Sequence, residues 1–206
     1  VALDHWESFP VLGSASELKA EEPEWWILPD DRLAAVFRDN QRSGYLYRSI
    51  SEDGGTTWTV PEKTNFPDAT SKVCGLRLGD GSYVLVSNSN PRKRDPLTLA
   101  WSADGLVFTK LFRLVGGRQV DYPHVVEYEG NLFIAFSGGK QSVEVLKVKL
   151  TDLAAANMPA PLVTKGPNEG ETVADSDVKK NDAMTPVVDR PGLPRGLLLG
   201  DSISLG

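Results

Sequence analysis

A short turn that recurs about every 50 residues constrains the fold of this chain more than any other feature. It reads Leu-Pro-Asp-Asp-Arg-Leu at 28–33, Leu-Gly-Asp-Gly-Ser-Tyr at 78–83 and Tyr-Glu-Gly-Asn-Leu at 128–132. Each copy places Asp, Gly or Asn between two short apolar or β-branched runs, which is the chemistry of a tight β-hairpin. A repeat of this length indicates a fold built from copies of one supersecondary unit.

Each hairpin is followed by a third strand, and the first two of these strands end in a further Ser-x-Asp-Gly turn. Four short strands in a unit of about 50 residues form the pattern of a β-propeller blade. The sequence therefore predicts an all-β fold of antiparallel sheets arranged radially. The third strands are predicted at 45–50, 97–101 and 143–150, and the three blades at 21–66, 67–119 and 120–150.

The turn after the first of these third strands carries a specific motif. Residues 51–58 read Ser-Glu-Asp-Gly-Gly-Thr-Thr-Trp and fit the Asp-box pattern S-x-D-x-G-x-T-W without a mismatch, and 102–108 is a degenerate copy. Asp53 can accept hydrogen bonds from its own turn, and Trp58 can cover that turn. On these residues the chain resembles the sialidase-like BNR, or Asp-box, β-propeller family. Because propellers of that family have six blades, the resemblance implies that the remaining blades belong to a larger parent polypeptide or to a further one.

Composition narrows the function classes. The net charge of −6 argues against a nucleic-acid partner, and no apolar stretch reaches the length of about 20 residues that a membrane span needs. Cys74 is the only cysteine, so neither an internal disulfide nor a cysteine-rich metal site can form. We therefore predict no metal and no cofactor. No signal-peptide pattern is visible at the N-terminus, and the localisation is left open, with a secreted or periplasmic protein as one expectation.

Strand direction sorts the loops onto two ends of the blades. The Asp-box turns join third to fourth strands at one end. The loops between second and third strands, and those leading into each blade, must then lie at the other end, which we call the top face. The top-face loops hold nine of the 22 Lys and Arg residues, whereas the opposite turns carry mostly Asp and Glu, so the top face is predicted to bind an anion. The predicted substrate-binding residues are Arg38, Lys72, Asn88, Arg94, Arg118 and Lys140.

The family resemblance also implies a chemistry. Sialidase-like enzymes clamp a sugar carboxylate with arginines, use a Tyr nucleophile helped by a carboxylate, and use an Asp as general acid. The implied ligand is an acidic glycan that carries sialic acid or a uronate. Arg38 is the clamp candidate, because a guanidinium can bind a carboxylate through two parallel hydrogen bonds. The catalytic candidates are Tyr122 as nucleophile with Glu144 or Glu24 as helper, Asp39 or Asp68 as acid, and His124 as general base if the enzyme is a uronate lyase.

The C-terminal quarter of the chain changes character. Residues 151–195 are polar and punctuated by prolines, which predicts a linker or extension. An apolar run then ends in Gly-Asp-Ser-Ile-Ser at 200–204. This run resembles the first block of the SGNH (GDSL) hydrolases, which implies that Ser202 is the nucleophile of an ester hydrolase. The predicted domains are propeller blades at 1–150, a linker at 151–195 and the start of an SGNH hydrolase domain at 196–206.

Three functions of different classes remain open. The chain can be part of a carbohydrate-active hydrolase or lyase, a non-catalytic glycan-binding propeller attached to an esterase, or a protein-interaction propeller. A carboxylate pair or a Tyr–Glu contact at the axis would favour catalysis, and a basic face without such a contact would favour binding. A long, flat apolar patch would favour protein interaction. For Tyr122 and His124, packing at a seam between blades is the alternative to catalysis.

Overall fold

The described residues fold into three antiparallel β-sheets with one short helix. The structure is a computed structural model that describes residues 6–11 and 18–156. The sheets follow one another along the chain, and consecutive strands within each sheet are hydrogen-bonded neighbours. The all-β class predicted from the repeat is confirmed. None of the described helices is long and apolar enough to cross a membrane.

The described strands divide into sheets of four, four and three. The first sheet holds β1 (Ala20–Ile27), β2 (Leu33–Asp39), β3 (Tyr45–Ser51) and β4 (Glu62–Pro67). The second sheet holds β5 (Cys74–Arg77), β6 (Tyr83–Asn88), β7 (Leu97–Ser102) and β8 (Phe108–Val115). The third sheet holds β9 (Val120–Tyr128), β10 (Asn131–Gly138) and β11 (Ser142–Lys149), and α1 (Leu150–Ala155) follows it.

The predicted hairpin turns lie between the first and second strands of each sheet. In the second sheet the Leu78 N–H donates to the Ser82 carbonyl at 2.7 Å. The Asp80 carboxylate accepts the backbone N–H and the hydroxyl of Ser82 at 2.8 and 2.6 Å. In the third sheet the turn has only two residues, Glu129 and Gly130, and both adopt positive φ. A two-residue turn with positive φ at both positions matches the twist of the flanking strands. Glycine adopts positive φ without a steric cost, which explains Gly130 at the second position.

The Asp-box turn has the predicted arrangement. The Asp53 carboxylate accepts the backbone N–H of Thr57 at 2.8 Å, the hydroxyl of Thr57 at 2.6 Å and that of Ser51 at 2.9 Å. The Trp58 indole donates to the Gly55 carbonyl at 2.9 Å, so the ring lies over its own turn. The turn therefore satisfies its own polar groups and can project from the end of the sheet.

Two apolar seams hold neighbouring sheets together. The first seam joins the first and second sheets around Trp26, Leu46 and Leu85. The Trp26 indole also donates to the Gly105 carbonyl at 3.0 Å, so this large ring is buried without leaving its N–H unpaired. The second seam joins the second and third sheets around residues such as Leu99 and Ile134. Burying a side chain of this size stabilises the fold by about 1.5–3 kcal/mol each, so the seams fix how the sheets sit beside one another.

The third sheet differs from the other two at its outer edge. After β11 the chain turns into α1 instead of a fourth strand. Leu153 and Ala156, at and just after the end of that helix, are buried against the second seam. The predicted boundary at residue 150 lies at the start of α1, and residues 151–156 of the predicted linker at 151–195 belong to this helix or directly follow it. The rest of that linker and the predicted hydrolase segment 196–206, with Ser202, lie outside the described residues, and these domain assignments stay predictions.

Candidate functional site

The top-face loops come together as the strand directions require. The Val120 N–H donates to the Arg94 carbonyl at 2.9 Å, which ties the start of β9 to the loop between β6 and β7. The Gly139 N–H donates to the Gln119 carbonyl at 3.0 Å, which ties the third sheet's loop to the segment leading into that sheet. These contacts place the predicted basic loops at one end of the molecule.

Arg38 and Arg94 share one acceptor on the top face, the backbone carbonyl oxygen of Thr70. Arg38 Nη1 lies 2.9 Å from that oxygen and Arg94 Nη2 lies 2.6 Å from it. Arg38 comes from the first sheet and Arg94 from the second, while Thr70 lies in the loop that connects those sheets. The shared oxygen therefore joins three top-face segments.

Each of these arginines is also held by carboxylates. Arg38 lies 2.6 Å from a Glu21 oxygen and 3.3 Å from a Glu22 oxygen, and its side chain is only 12% exposed. The predicted carboxylate clamp is thus already engaged by carboxylates of β1. Arg94 Nη1 lies 2.7 Å from Asp121, whose side chain is fully buried and also accepts the Gln119 amide at 2.7 Å. Burial alone would lower the pKa of Arg94, but the hydrogen bond that Arg94 donates to Asp121 raises it on balance, so this guanidinium stays charged.

Tyr122 lies beside the Arg94 network and is 40% exposed. The Arg94 guanidinium and the Lys140 ammonium lie 5.8 and 5.7 Å from the ring centroid, within the range of a cation–π contact. Tyr122 adopts φ 52°, a backbone conformation that is uncommon for a bulky residue. Glu22 and Thr70, which precede or begin the inner strands of the other sheets, also have positive φ. Strain at the same place in three sheets marks the inner rim of the top face.

The predicted acids Asp39 and Asp68 face the protein backbone. Asp39 accepts the N–H groups of Gln41 and Ser43 at 2.9 and 3.1 Å, which braces the loop after β2. Asp68 accepts the Asp39 N–H at 2.9 Å and the Ser71 N–H at 3.3 Å. Burial raises the pKa of Asp68, although these N–H groups oppose the rise. Both carboxylates are buried, so neither is presented to solvent in this arrangement.

Glu24, Cys74 and His124 occupy matching positions on the inner strands of the three sheets. The Cys74 thiol lies 3.9 Å from His124 Nδ1 and accepts the Val125 N–H at 3.4 Å. Burial raises the pKa of the Cys74 thiol, and this favours the neutral form. His124 is exposed at the free side of the third sheet. Cys74 and His124 therefore touch across the second seam. Tyr122 has no carboxylate contact among the described residues.

The remaining predicted binding residues divide into structural and exposed ones. The Asn88 amide is buried and donates to the carbonyls of Pro96 and Val120 at 3.2 Å each, which is a brace between loops. Arg118 binds Glu144 through two hydrogen bonds of 2.7 and 2.6 Å, and this pairing lowers the pKa of Glu144. Lys72 is half-buried just before β5, and Lys140 is exposed. Ser202 lies outside the described residues.

A cleft of about 510 Å³ opens between these top-face loops. Its lining contains five cationic side chains and only one carboxylate, that of Asp95. The cationic residues are Arg42, Arg92, Lys93, Arg94 and Arg118. Arg42, Arg92 and Lys93 belong to the nine basic residues of the top-face loops, but they are not among the binding residues predicted from the sequence. Asp121 was missed, because nothing in the sequence shows that a residue beside Tyr122 orients an arginine 27 positions earlier.

No metal centre emerges from the described part of the chain, where no group of three or more His, Cys, Asp or Glu side chains could hold an ion. The described top face carries guanidinium, ammonium and phenol groups together with carboxylates that pair with several of the cations.

Comparison with known proteins gives a family and a fold. A profile of the family described as "BNR repeat-like domain" matches residues 4–134. No curated protein matches the chain significantly. Among solved structures, the intramolecular trans-sialidase from Ruminococcus gnavus, in complex with oseltamivir carboxylate, gives a TM-score of 0.61 at 15% identity. That match covers 75% of this chain and 37% of the other.

Two further structures show the same fold. The leech intramolecular trans-sialidase, complexed with 2,7-anhydro-Neu5Ac, gives a TM-score of 0.58 at 14% identity over 72% of this chain and 26% of its own. The α-L-arabinanase of Penicillium chrysogenum, complexed with arabinobiose, gives 0.53 at 16% identity over 68% and 49%. Such identities show the fold alone, a sialidase-like β-propeller arrangement. The chain spans half or less of the length of each of these structures.

Proposed function

Because the chain belongs to the BNR repeat-like domain family, we propose that its top face binds an acidic carbohydrate, as one part of a larger carbohydrate-active protein. The single observation that carries this proposal is the cationic cleft, in which five basic side chains face one carboxylate. Guanidinium groups bind carboxylates in a planar, two-point geometry. A glycan that carries sialic acid or a uronate would supply the carboxylate.

The arrangement of charges supports ligand binding by the exposed cations of the cleft, Arg42 and Lys93. Arg38 is occupied by Glu21 and Glu22, and Arg118 is occupied by Glu144. Arg42 and Lys93 are exposed, and Arg42 has no ion pair among the described residues. A ligand carboxylate can therefore approach Arg42 without displacing an internal partner. The Ruminococcus gnavus structure, with its bound oseltamivir carboxylate, is consistent with an anionic ligand on this fold.

A second candidate function is glycoside hydrolysis with Tyr122 as the nucleophile. The observation that favours it is the exposed Tyr122, with its positive φ, whose ring lies beside the Arg94 guanidinium and the Lys140 ammonium on the top face. The described residues place no carboxylate against Tyr122, so this candidate needs a base from elsewhere in the parent protein. The ester hydrolase expected from Ser202 is a separate prediction about that same parent.

The binding proposal is tested by replacing Arg42. Arg42→Ala should weaken binding of 3′-sialyllactose or trigalacturonate by about tenfold, which corresponds to about 1.4 kcal/mol. Isothermal titration calorimetry at moderate salt measures the change. Arg32→Ala, at an exposed turn on the opposite end of the first sheet, is the matched control and should bind like the unmodified chain.

Two outcomes would contradict the proposal. One is equal affinity for lactose and for the two acidic sugars, and the other is unchanged binding by Arg42→Ala. The second candidate is tested separately with a fluorogenic sialoside. In the parent protein, Tyr122→Phe should abolish hydrolysis of this sialoside while leaving calorimetric binding within about twofold, because the phenyl ring and its neighbours remain.

A further inference from the structure

The cationic cleft crosses loops that belong to all three sheets. One of its cations lies in the loop after β2, three lie in the loop between β6 and β7, and one lies just before β9. In chain order these are Arg42, Arg92, Lys93, Arg94 and Arg118. We call them the cation row, because the loops that carry them adjoin one another.

The middle loop of the row touches the loop on each side of it. A Cβ atom on Gly44, two residues after Arg42, would lie 3.3 Å from the Pro91 Cβ. At the other end of the middle loop, the Asp95 carboxylate accepts the Gly117 N–H at 2.9 Å. The row therefore runs without a break from the loop of the first sheet to the entry of the third.

Two cations from different sheets face solvent in this row. Arg42 is exposed on the first sheet's loop. Lys93 is 64% exposed on the second sheet's loop, and its contact with Asp95 is a single one of 3.2 Å. An exposed ion pair contributes little by itself, so one carboxylate on one of these cations would be held weakly. A ligand whose linked charges reach both cations gains much more, because the second contact forms within the same complex.

The cleft offers a sugar charge and little else. Among the described residues that line it none is aromatic, and its apolar side chains are Ala69 and Pro91. A sugar ring has no aromatic face to pack against there, so its charged groups must supply the affinity. The same lack disfavours single-stranded nucleic acid, whose bases stack on aromatic side chains.

The size of the cleft also suits a ligand with more than one charged unit. Its volume of about 510 Å³ lies within the range of roughly 300–1,000 Å³ that is typical of sites for drug-sized ligands. A single carboxylate would occupy only a small part of that space.

We propose that the ligand is an oligosaccharide with carboxylates on successive sugar units, an oligouronate, which lies along the cation row and contacts Arg42 and Lys93 together. This inference rests on the proposed function, since it narrows the acidic carbohydrates to those with several charges. It makes Lys93 a specificity-determining residue. Arg42 can accept the carboxylate of any acidic sugar, whereas Lys93 meets a second carboxylate of the same ligand.

Isothermal titration calorimetry of the full chain with three sugars tests the inference. The sugars are galacturonate, trigalacturonate and the methyl ester of trigalacturonate, which has the same length but no charge. A trimer that used one cation would gain at most about threefold over the monomer, from the number of carboxylates it offers. We expect trigalacturonate to bind at least about tenfold more tightly than either other sugar.

A pair of lysine variants locates the second contact. Lys93→Gln should weaken trigalacturonate binding by about threefold or more while leaving galacturonate within about twofold, because only the trimer reaches this side chain. Lys149→Gln removes the same charge from an exposed lysine at the far end of β11 and should change neither affinity. Both variants should keep the melting temperature of the unmodified chain.

The outcomes separate this inference from the proposed function. If galacturonate and trigalacturonate bind within about threefold of each other, and both bind more tightly than the methyl ester, the oligouronate inference is overturned and the proposed function stands. If the methyl ester binds as tightly as the acid, the proposed function itself is contradicted. Unchanged trigalacturonate binding by Lys93→Gln would also overturn the inference, as would tighter binding of a short oligodeoxythymidylate than of trigalacturonate.

Discussion

Asp53 and Asp104 hold the same position in successive turns, and each accepts three hydrogen bonds from its own turn. Asp104 accepts the Leu106 and Val107 N–H groups at 2.8 Å each and the Ser102 hydroxyl at 2.9 Å. Burial alone would raise the pKa of Asp104, but these donors together hold it below its ordinary value of 3.8. The Thr57 hydroxyl and N–H lower the pKa of Asp53 in the same way. Each carboxylate, in its ionised form, thus stabilises its own turn by accepting these hydrogen bonds.

The stability that Asp104 contributes should depend on pH. A carboxyl whose pKa is lower in the folded state stabilises the fold above its unfolded pKa, and this contribution is lost as the pH falls through the folded value. Asp104→Asn should therefore lower the melting temperature above a pH of about 5. The difference from the unmodified chain should shrink as the pH falls below 3.8.

Thermal unfolding followed by circular dichroism measures this difference. The pH range from about 2.5 to about 7 brackets the ordinary pKa of a carboxyl group. Glu52→Gln, at an exposed position of the first Asp box, is the control and should show little pH-dependent change. A constant difference between Asp104→Asn and the unmodified chain at every pH would contradict the assigned role.

For single residues, the sequence predicts hydrogen-bond partners that lie within one turn. It does not predict partners that lie on different strands. Asp53 is found because its partners Ser51 and Thr57 belong to the same motif. The engagement of Arg38 by Glu21 depends on the pairing of β1 with β2, a register that local pattern does not specify. The burial of Asp121 beneath Arg94 depends on contacts between two sheets in the same way.

At the scale of the strands, the first seam depends on a close approach between β1 and β5. A Cβ atom on Gly75 would lie 2.7 and 2.8 Å from two carbons of the Trp26 ring, which is closer than packed atoms can come. Glycine at this position therefore lets the large indole pack flat against the neighbouring strand. The Trp26 hydrogen bond to Gly105 fixes the ring from its other side.

Gly75→Ala should destabilise the fold by about 1–3 kcal/mol, because the added methyl group forces the buried ring to move. Urea unfolding monitored by tryptophan fluorescence measures the loss. Gly79→Ala is the matched control, since its nearest neighbour at 3.3 Å is the end of the Glu127 side chain, which can move aside. Equal stability of the two variants would show that Trp26 is not constrained by Gly75.

The elements themselves were largely predictable. Asp, Gly and Asn mark the hairpin turns, and alternation of the strands then fixes which loops share the top face. The run of Leu153 and the three alanines after it indicates a helical turn, and α1 spans Leu150–Ala155. What the sequence does not show is that this helix takes the place of a fourth strand and packs on the second seam.

At the scale of the whole molecule, the two faces of the third sheet should respond very differently to the same substitution. Ile134 is completely buried in the second seam, so Ile134→Asp should cost more than about 4 kcal/mol by burying an unpaired charge. Val145 is 59% exposed on the other face of the same sheet, so Val145→Asp should change stability by less than about 0.5 kcal/mol. Differential scanning calorimetry of both variants measures the contrast. A large loss of stability in Val145→Asp would contradict the exposure of this side chain.

The Thr70 carbonyl oxygen, shared by Arg38 and Arg94, also bears on how such a face can diversify in evolution. A change in either arginine alters the hydrogen bonding left to the other, so the loops of two sheets cannot vary independently around this oxygen. Arg42 and Lys93 lie outside the shared contact and are free to change one at a time. Among related sequences we therefore expect the rim of the cleft to vary first, while Arg38 and Arg94 are retained or replaced together.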